Sequence, residues 1–160
     1  MNPMDESVRF RAMRWWDIPA VHAIEITVFP VDPWSVEQFW SELAQPTRHY
    51  LVAEVNGQIA GYAGSFVLSP QADVQTIAVS PAHQGRGLGA ALLTQLIEDA
   101  HRSGASEMLL EVRSDNVSAM AMYEKFGFER ISRRPNYYAA GVDAHVMRLR
   151  PLPGEASHVK

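Results

Sequence analysis

Between Val79 and Leu93 the chain reads VSPAHQGRGLGAALL: an apolar run, a proline, three glycines in five residues, then apolar positions at helical spacing. No other stretch constrains the fold as tightly. It prescribes a strand that feeds a glycine loop, and a loop that opens directly into a helix. The first turn of a helix leaves backbone N–H groups without partners inside the helix, and the helix dipole adds partial positive charge there. Bare backbone at such a point admits an anion, and phosphate is the usual guest.

The rest of the chain arranges itself around that unit. Val8, Phe10 and Ala12 alternate as an inward-facing first strand, and Asp17 is a candidate N-cap before a helix with Pro19 in its first turn. Ser35 and Gln38 stand at capping-box spacing before a second helix. Asn56-Gly57 between two apolar runs predicts a hairpin, and a strand over about 74–79 leads into the glycine loop. Leu88, Leu92, Leu93, Leu96 and Ile97 keep helical spacing up to the Ser103-Gly104 stop. EMLLEVR, nearly continuous in apolar residues, predicts a strand buried in the sheet. Asn116 caps a short helix that Gly127 ends, and two further strands follow. The predicted order is β α α β β β α β α β β, a mixed α/β fold with helices flanking a central sheet. A single domain over 1–150 and a flexible tail over 151–160 complete the expectation.

Bulk composition removes several function classes. The chain has 160 residues and a net charge of −4, which argues against a general nucleic-acid binder. It has no cysteine, so disulfides, thiolate zinc sites and a cysteine acyl-enzyme are excluded. Its six histidines show no metal-ligand spacing, and no metal is expected. No apolar run approaches the ~20 residues that cross a bilayer, and MNPMDESVRF lacks the apolar segment of a secretion signal. A soluble, cytoplasmic protein is expected, away from membranes; its oligomeric state is left open.

Three phosphate-binding patterns compete for the loop. A Walker loop requires a lysine after the last glycine, and there is none. Gly85, Gly87 and Ala90 satisfy the dinucleotide pattern G-x-G-x-x-A, with Glu107 at about the expected distance, but SPAHQ separates the strand from the first glycine and too few βαβ units follow. The third pattern, Q-x-x-G-x-G at Gln84, Gly87 and Gly89 after TIAVSP, resembles the acetyl-CoA signature of the GCN5-related N-acetyltransferases, the GNAT superfamily. That resemblance implies a pyrophosphate cradle of Gln84, Gly85, Arg86, Gly87, Leu88, Gly89 and Ala90. It also implies main-chain contacts to the pantetheine arm from the strand at Ile77, Ala78 and Val79. The alternative is a glycine-rich helix entry of structural use only.

LEVRSDNVSAMAMYEKFGF followed by RRPNYYAAGVDAHVMRL is similar, within that superfamily, to the ribosomal-protein-alanine N-acetyltransferases (the RimI family) and to catalytic subunits of N-terminal acetyltransferases. DPWSVEQFWSEL resembles the same family's substrate-side helix, so the likeness spans about residues 8–149. It implies a general base at Glu111, a general acid at Tyr123, and a hydrogen bond from Asn116 near the thioester arm. Chemistry gives these residue types a reason: an amine attacks a thioester only when neutral, and the departing thiolate takes a proton. Each also has a plainer reading. Glu111 could be a structural carboxylate paired with Arg113 or another cation, Tyr123 could be a core aromatic, Asn116 a helix cap, and Met120 and Met122 core.

Freeing a protein α-amine of its proton at pH 7 costs roughly 1 kcal/mol, against about 4.6 for lysine, so a modest carboxylate base suits the α-amine. By the resemblance, Tyr137 and Tyr138 hold the first residues of the peptide and Phe29 to Trp34 wall its other side; ordinary aromatic packing is the alternative. The implied reaction is acetylation of a peptide or protein N-terminus in a ternary complex with acetyl-CoA, the expected partner being small-subunit ribosomal protein eighteen through its N-terminal alanine. Acetylation of lysines or small amines, and a noncatalytic acetyl-CoA-binding module, are the rivals.

Overall fold

A computed structural model of the protein describes residues 7–154. Asn56 and Gly57 turn the chain with φ of 51° and 82°, left-handed values that a two-residue hairpin demands and that these two residue types adopt at little cost. The turn joins β2 (Arg48–Val55) to β3 (Gln58–Leu68). Their register is antiparallel, with Arg48 opposite Phe66, Val55 opposite Gln58 and an irregularity at Ala53/Glu54. β1 (Val8–Ala12) pairs with the other side of β2, Val8 opposite Val55.

The expectation that Val8, Phe10 and Ala12 face inward is corrected. Val8 is 45% exposed, Ala12 is exposed and Phe10 is half-buried. β1 is an end strand of the sheet, and besides its ladder to β2 it has an ionic anchor: Arg11 bonds Asp17 at 2.7 Å and also pairs with Glu54. Asp17 precedes α1 (Ile18–Val28) but makes no side-chain cap to it. Its buried carboxylate instead accepts from Arg11 and, at 2.7 Å, from the backbone N–H of Arg14. Those bonds hold it below the usual carboxylate range even though burial pushes the other way.

The capping box before α2 (Val36–Leu43) forms as expected: Ser35 Oγ accepts from the Gln38 N–H at 3.2 Å and Gln38 Oε1 from the Ser35 N–H at 2.8 Å. β4 (Gln71–Val79) begins three residues earlier than predicted. It pairs in parallel with β5 (Glu107–Arg113) over Gln71 to Asp73 only. Between them in sequence lies α3 (Leu88–Arg102). After β5 come α4 (Val117–Lys125), β6 (Glu129–Ala139) and β7 (Val142–Leu149). The seven strands hydrogen-bond in the order β1-β2-β3-β4-β5-β7-β6. This is the predicted mixed α/β order, with two short 3-10 turns added at Trp15–Asp17 and Pro81–His83.

The chain divides into two compact units, Met1–Phe66 with Gln75–Leu96, and Val67–Val74 with Ile97–Lys160. The core of the first gathers Ile18, Val21, Phe39, Val52 and Tyr62, all but sealed from solvent. Gly64 lets it close, because a Cβ there would stand 2.2 Å from Tyr50 Cε2. In the second unit β5 does not form the continuous buried run expected of it. Met108, Leu110 and Val112 are buried, and Glu111 is exposed. The tail is also corrected in part: Leu152 is buried and its N–H donates to Ser106 O at 3.1 Å, while 155–160 lie outside the described residues. Among the described residues no helix is long and apolar enough to cross a membrane.

Candidate active site

In the first unit, the glycine loop is built by the strand that enters it. Gln84 turns its side chain back, and its Nε2 donates to Val79 O at 3.0 Å. Ser80 Oγ and His83 Nδ1 lie 3.0 Å apart across the 3-10 turn. Gly85 and Gly87 then take φ of +80° and +82°, and a Cβ on either would meet nothing within 4 Å. Their freedom is thus conformational rather than a matter of crowding. Gly87 O accepts from the Ala91 N–H at 3.0 Å, so the helix proper starts there and the amides of Leu88, Gly89 and Ala90 form its first turn.

The residues expected to hold the cofactor therefore divide by what they offer. Gln84, Gly85, Arg86 and Gly87 are exposed, and Gly89 and Ala90 are half-buried. Leu88 is buried and fixes the helix to its unit, leaving only its backbone to a ligand. On β4, Ile77 and Val79 are half-buried, and Ala78 belongs to the core. The ladder to β5 stops at Asp73, short of all three.

The second unit collects the acid–base candidates. Of the partners its plainer reading allowed, Arg113 or another cation, Glu111 takes the second. Arg113 is engaged bidentately by Asp115, with both contacts at 3.0 Å. Glu111 Oε1 instead faces Arg134 Nη2 at 3.2 Å. Arg134 also stands 5.3 Å from the Tyr137 ring centre and Arg113 5.2 Å from that of Tyr138. The two tyrosines meet edge to face at 5.1 Å. Burial and the nearby charge of Glu111 push the Tyr138 phenol above its ordinary value. Tyr123, buried and edge-on to Phe128 at 5.7 Å, is pushed up to about 12, mainly by burial and then by Tyr138. Asn116 does cap α4: its Oδ1 accepts from the Ala119 N–H at 3.2 Å.

The segment carrying Tyr137 and Tyr138 leaves the regular ladder. β6 pairs with β7 up to Arg134 opposite Ala144 and resumes at Ala139 opposite Val142. Asn136, at φ 54°, makes the kink. Its N–H donates to Asp143 Oδ1 at 2.9 Å, and its own Oδ1 accepts from the Gly141 N–H at 2.7 Å. Ser114 Oγ in turn accepts from the Asp143 N–H at 2.9 Å.

Phe29 and Trp34, expected beside the peptide, both lean on the core of the first unit. The segment between them exposes Pro30, Val31 and Asp32, Val31 at 79%. Its shape is set by a residue that sequence reasoning missed. Glu25, on α1 and 3% exposed, accepts from the Trp34 N–H at 2.9 Å through Oε2 and from the Tyr62 hydroxyl through Oε1. Arg134 and Asp143 were missed as well. The signal for Asp143 was its place just after Gly141, opposite the Asn136 kink.

The acetyltransferase (GNAT) family model matches residues 13–128. An N-alpha-acetyltransferase of Mycobacterium tuberculosis is 44% identical over 122 residues, 73% of this chain and 75% of that one. The ribosomal protein bS18-alanine N-acetyltransferase of Escherichia coli is 37% identical over 122 residues, 76% of this chain and 81% of that one. The crystal structure of the ribosomal-protein-S18-alanine N-acetyltransferase from Escherichia coli aligns with a TM-score of 0.83 at 34% identity, covering 93% of this chain and 97% of that one.

Proposed function

The chain belongs to the GNAT family of acetyltransferases and is an acetyl-CoA-dependent N-acetyltransferase; on that premise we propose that it acetylates the α-amine of protein N-termini in the cytoplasm, with the N-terminal alanine of ribosomal protein bS18 as its substrate. Acetyl-CoA supplies an activated acetyl thioester. The loop from Gln84 to Ala90 is suited to its pyrophosphate by exposed backbone at a helix start. The stretch of β4 beyond Asp73, outside the ladder to β5, suits main-chain contact to the pantetheine arm.

Glu111 accepts the proton that the amine loses, directly or through a water. Tyr123 donates a proton to the departing sulfur. A phenol pushed up to about 12 stays protonated throughout the neutral range, as a donor must. Asn116, its Oδ1 engaged in capping, keeps its side-chain N–H₂ for the thioester arm. Tyr137 and Tyr138 receive the first residues of the peptide.

One observation carries this reading. In the second unit Arg134 stands 3.2 Å from Glu111 and 5.3 Å from the ring of Tyr137, which meets Tyr138 edge to face at 5.1 Å, so the proposed base and the two tyrosines proposed for the peptide are gathered in one place.

The test uses two matched peptides, one with a free N-terminal alanine and one N-blocked with an internal lysine. Thiol release from acetyl-CoA is followed, and mass spectrometry locates the added group. Acetylation of the free alanine alone supports the proposal. Modification of the lysine peptide alone overturns the substrate while leaving the family intact, and binding of acetyl-CoA without turnover on either peptide overturns the peptide substrate.

A further inference from the structure

We propose that Arg134 is a positioning residue that aims the Glu111 carboxylate and links its orientation to the peptide-contacting Tyr137. The inference rests on the reading of Glu111 as the base and deepens it. Arg134 lies on β6, opposite Ala144 of β7, and Ala144 is opposite Arg113 of β5. To reach Glu111 its side chain crosses the intervening strand, a span of two strand spacings or roughly 10 Å. Ala144, small and buried, leaves that path open.

An ion pair between side chains 55% and 32% exposed does little for the fold; such surface pairs contribute ~0–1 kcal/mol. Its effect is geometric. Each neighbouring arginine is already engaged elsewhere, Arg113 with Asp115 and Arg133 with Asp143 at 3.6 Å. Arg134 therefore has Glu111 as its own acid, and holds it through Oε1 at 3.2 Å. One carboxylate oxygen is held and the other is left to accept the proton of the amine. This is the relation of a base to the group that orients it. The same guanidinium lies 5.3 Å from the Tyr137 ring, within cation–π range, so a peptide settling on Tyr137 presses on the group that aims the base.

The experiment is a double-mutant cycle on the full chain, with saturating acetyl-CoA and the free-alanine peptide. Arg134→Ala is expected to lower kcat by up to about 10²-fold, the scale of a misplaced catalytic group, with acetyl-CoA affinity unchanged. Arg134→Lys should recover part of the loss, because an ammonium restores the charge but not the planar fork. In an Glu111→Gln background, Arg134→Ala should cost nothing further. Losses that multiply instead overturn the positioning role while leaving the base assignment standing. Wild-type turnover by Glu111→Gln alone overturns the base assignment and this inference with it, and an unchanged kcat in Arg134→Ala overturns the inference alone. Both substituted positions are exposed, and a thermal melt checks that each variant is folded.

Discussion

Replacing Glu25 by alanine should destabilise the first unit by about 2–4 kcal/mol and loosen the segment between Phe29 and Trp34. The carboxylate is 3% exposed and takes two donors, the Tyr62 hydroxyl and the Trp34 N–H. Hydrogen bonds to a charged group are worth ~1.5–3 kcal/mol each, and a buried donor left alone costs ~1–3. Tyr62 is fully buried and bears most of that cost, Thr76 being its other hydrogen-bonding neighbour, whereas the Trp34 N–H is only part-buried and recovers some of it from water. One lost methylene adds ~0.8 kcal/mol, and relief from burying a charge offsets part of the sum. Glu25→Gln separates the terms. An amide keeps an acceptor for Trp34 and offers Tyr62 a donor, so it should stay within about 1 kcal/mol of wild type if hydrogen bonding dominates. Urea unfolding at constant m gives both numbers, and the peptide KM should rise in the alanine variant while acetyl-CoA affinity holds. A Glu25→Ala midpoint equal to wild type, or a glutamine variant as weak as the alanine one, would refute the argument.

Three other outcomes are expected. Tyr50, Tyr62 and Tyr123 are buried phenols pushed above the ordinary tyrosine value, chiefly by burial. The unfolded chain releases these protons near pH ~10 while the native state keeps them, so stability should be level below that point and fall above it by up to roughly 1.4 kcal/mol per pH unit per tyrosine; unfolding midpoints unchanged between pH 9 and 11 would contradict this. Gly64→Ala should cost at least ~1–3 kcal/mol by overpacking, since its Cβ would sit 2.2–2.6 Å from three atoms of the Tyr50 ring; a midpoint within error of wild type would show that Tyr50 can move aside. Gly87→Ala meets no atom within 4 Å, and its cost in stability is the backbone strain at φ +82°, about 1–3 kcal/mol. Its acetyl-CoA affinity, read by calorimetry, should fall well below that of wild type, and an unchanged affinity in a folded variant would remove the loop from the cofactor site.

What could be read from the sequence was local. The Asn56-Gly57 turn, the Ser35–Gln38 box and the Asn116 cap each lie within a few residues of the groups they bond, and local bonds leave short-range patterns. Asp17 shows the limit: its position before α1 fits a cap, but Arg11 and the Arg14 N–H claim its carboxylate. The burial of β1 misled because alternation says which residues share a face and not whether a second layer covers it. Val8 alternates correctly and stays 45% exposed on an end strand. For Glu111 the nearest cation in sequence, Arg113, was the natural partner. Asp115 takes Arg113 first, and the residue that holds Glu111 lies 23 positions along the chain on a strand two away.

The residues that shape the proposed peptide-contacting segments share a chemistry that sequence patterns do not display. Glu25 accepts the backbone N–H of Trp34, and Asp143 accepts that of Asn136. In each case a carboxylate fixes a stretch of irregular backbone beside aromatic side chains. A segment outside the regular ladders has N–H groups that no strand or helix satisfies, and a side-chain acceptor gives such a group a fixed partner in place of water. An acceptor-only side chain can meet that need without adding a donor of its own. Apolar packing would hold such a segment by the identity of its side chains, whereas a carboxylate on a backbone N–H holds it whatever those side chains are. The two segments can therefore vary the residues they present, Val31 in one and Tyr137 and Tyr138 in the other, while Glu25 and Asp143 keep their paths. Specificity for one N-terminus over another is then expected to lie in the presented residues and competence for any N-terminus in the anchors, which separates substitutions that change which peptide is chosen from those that raise KM for every peptide alike.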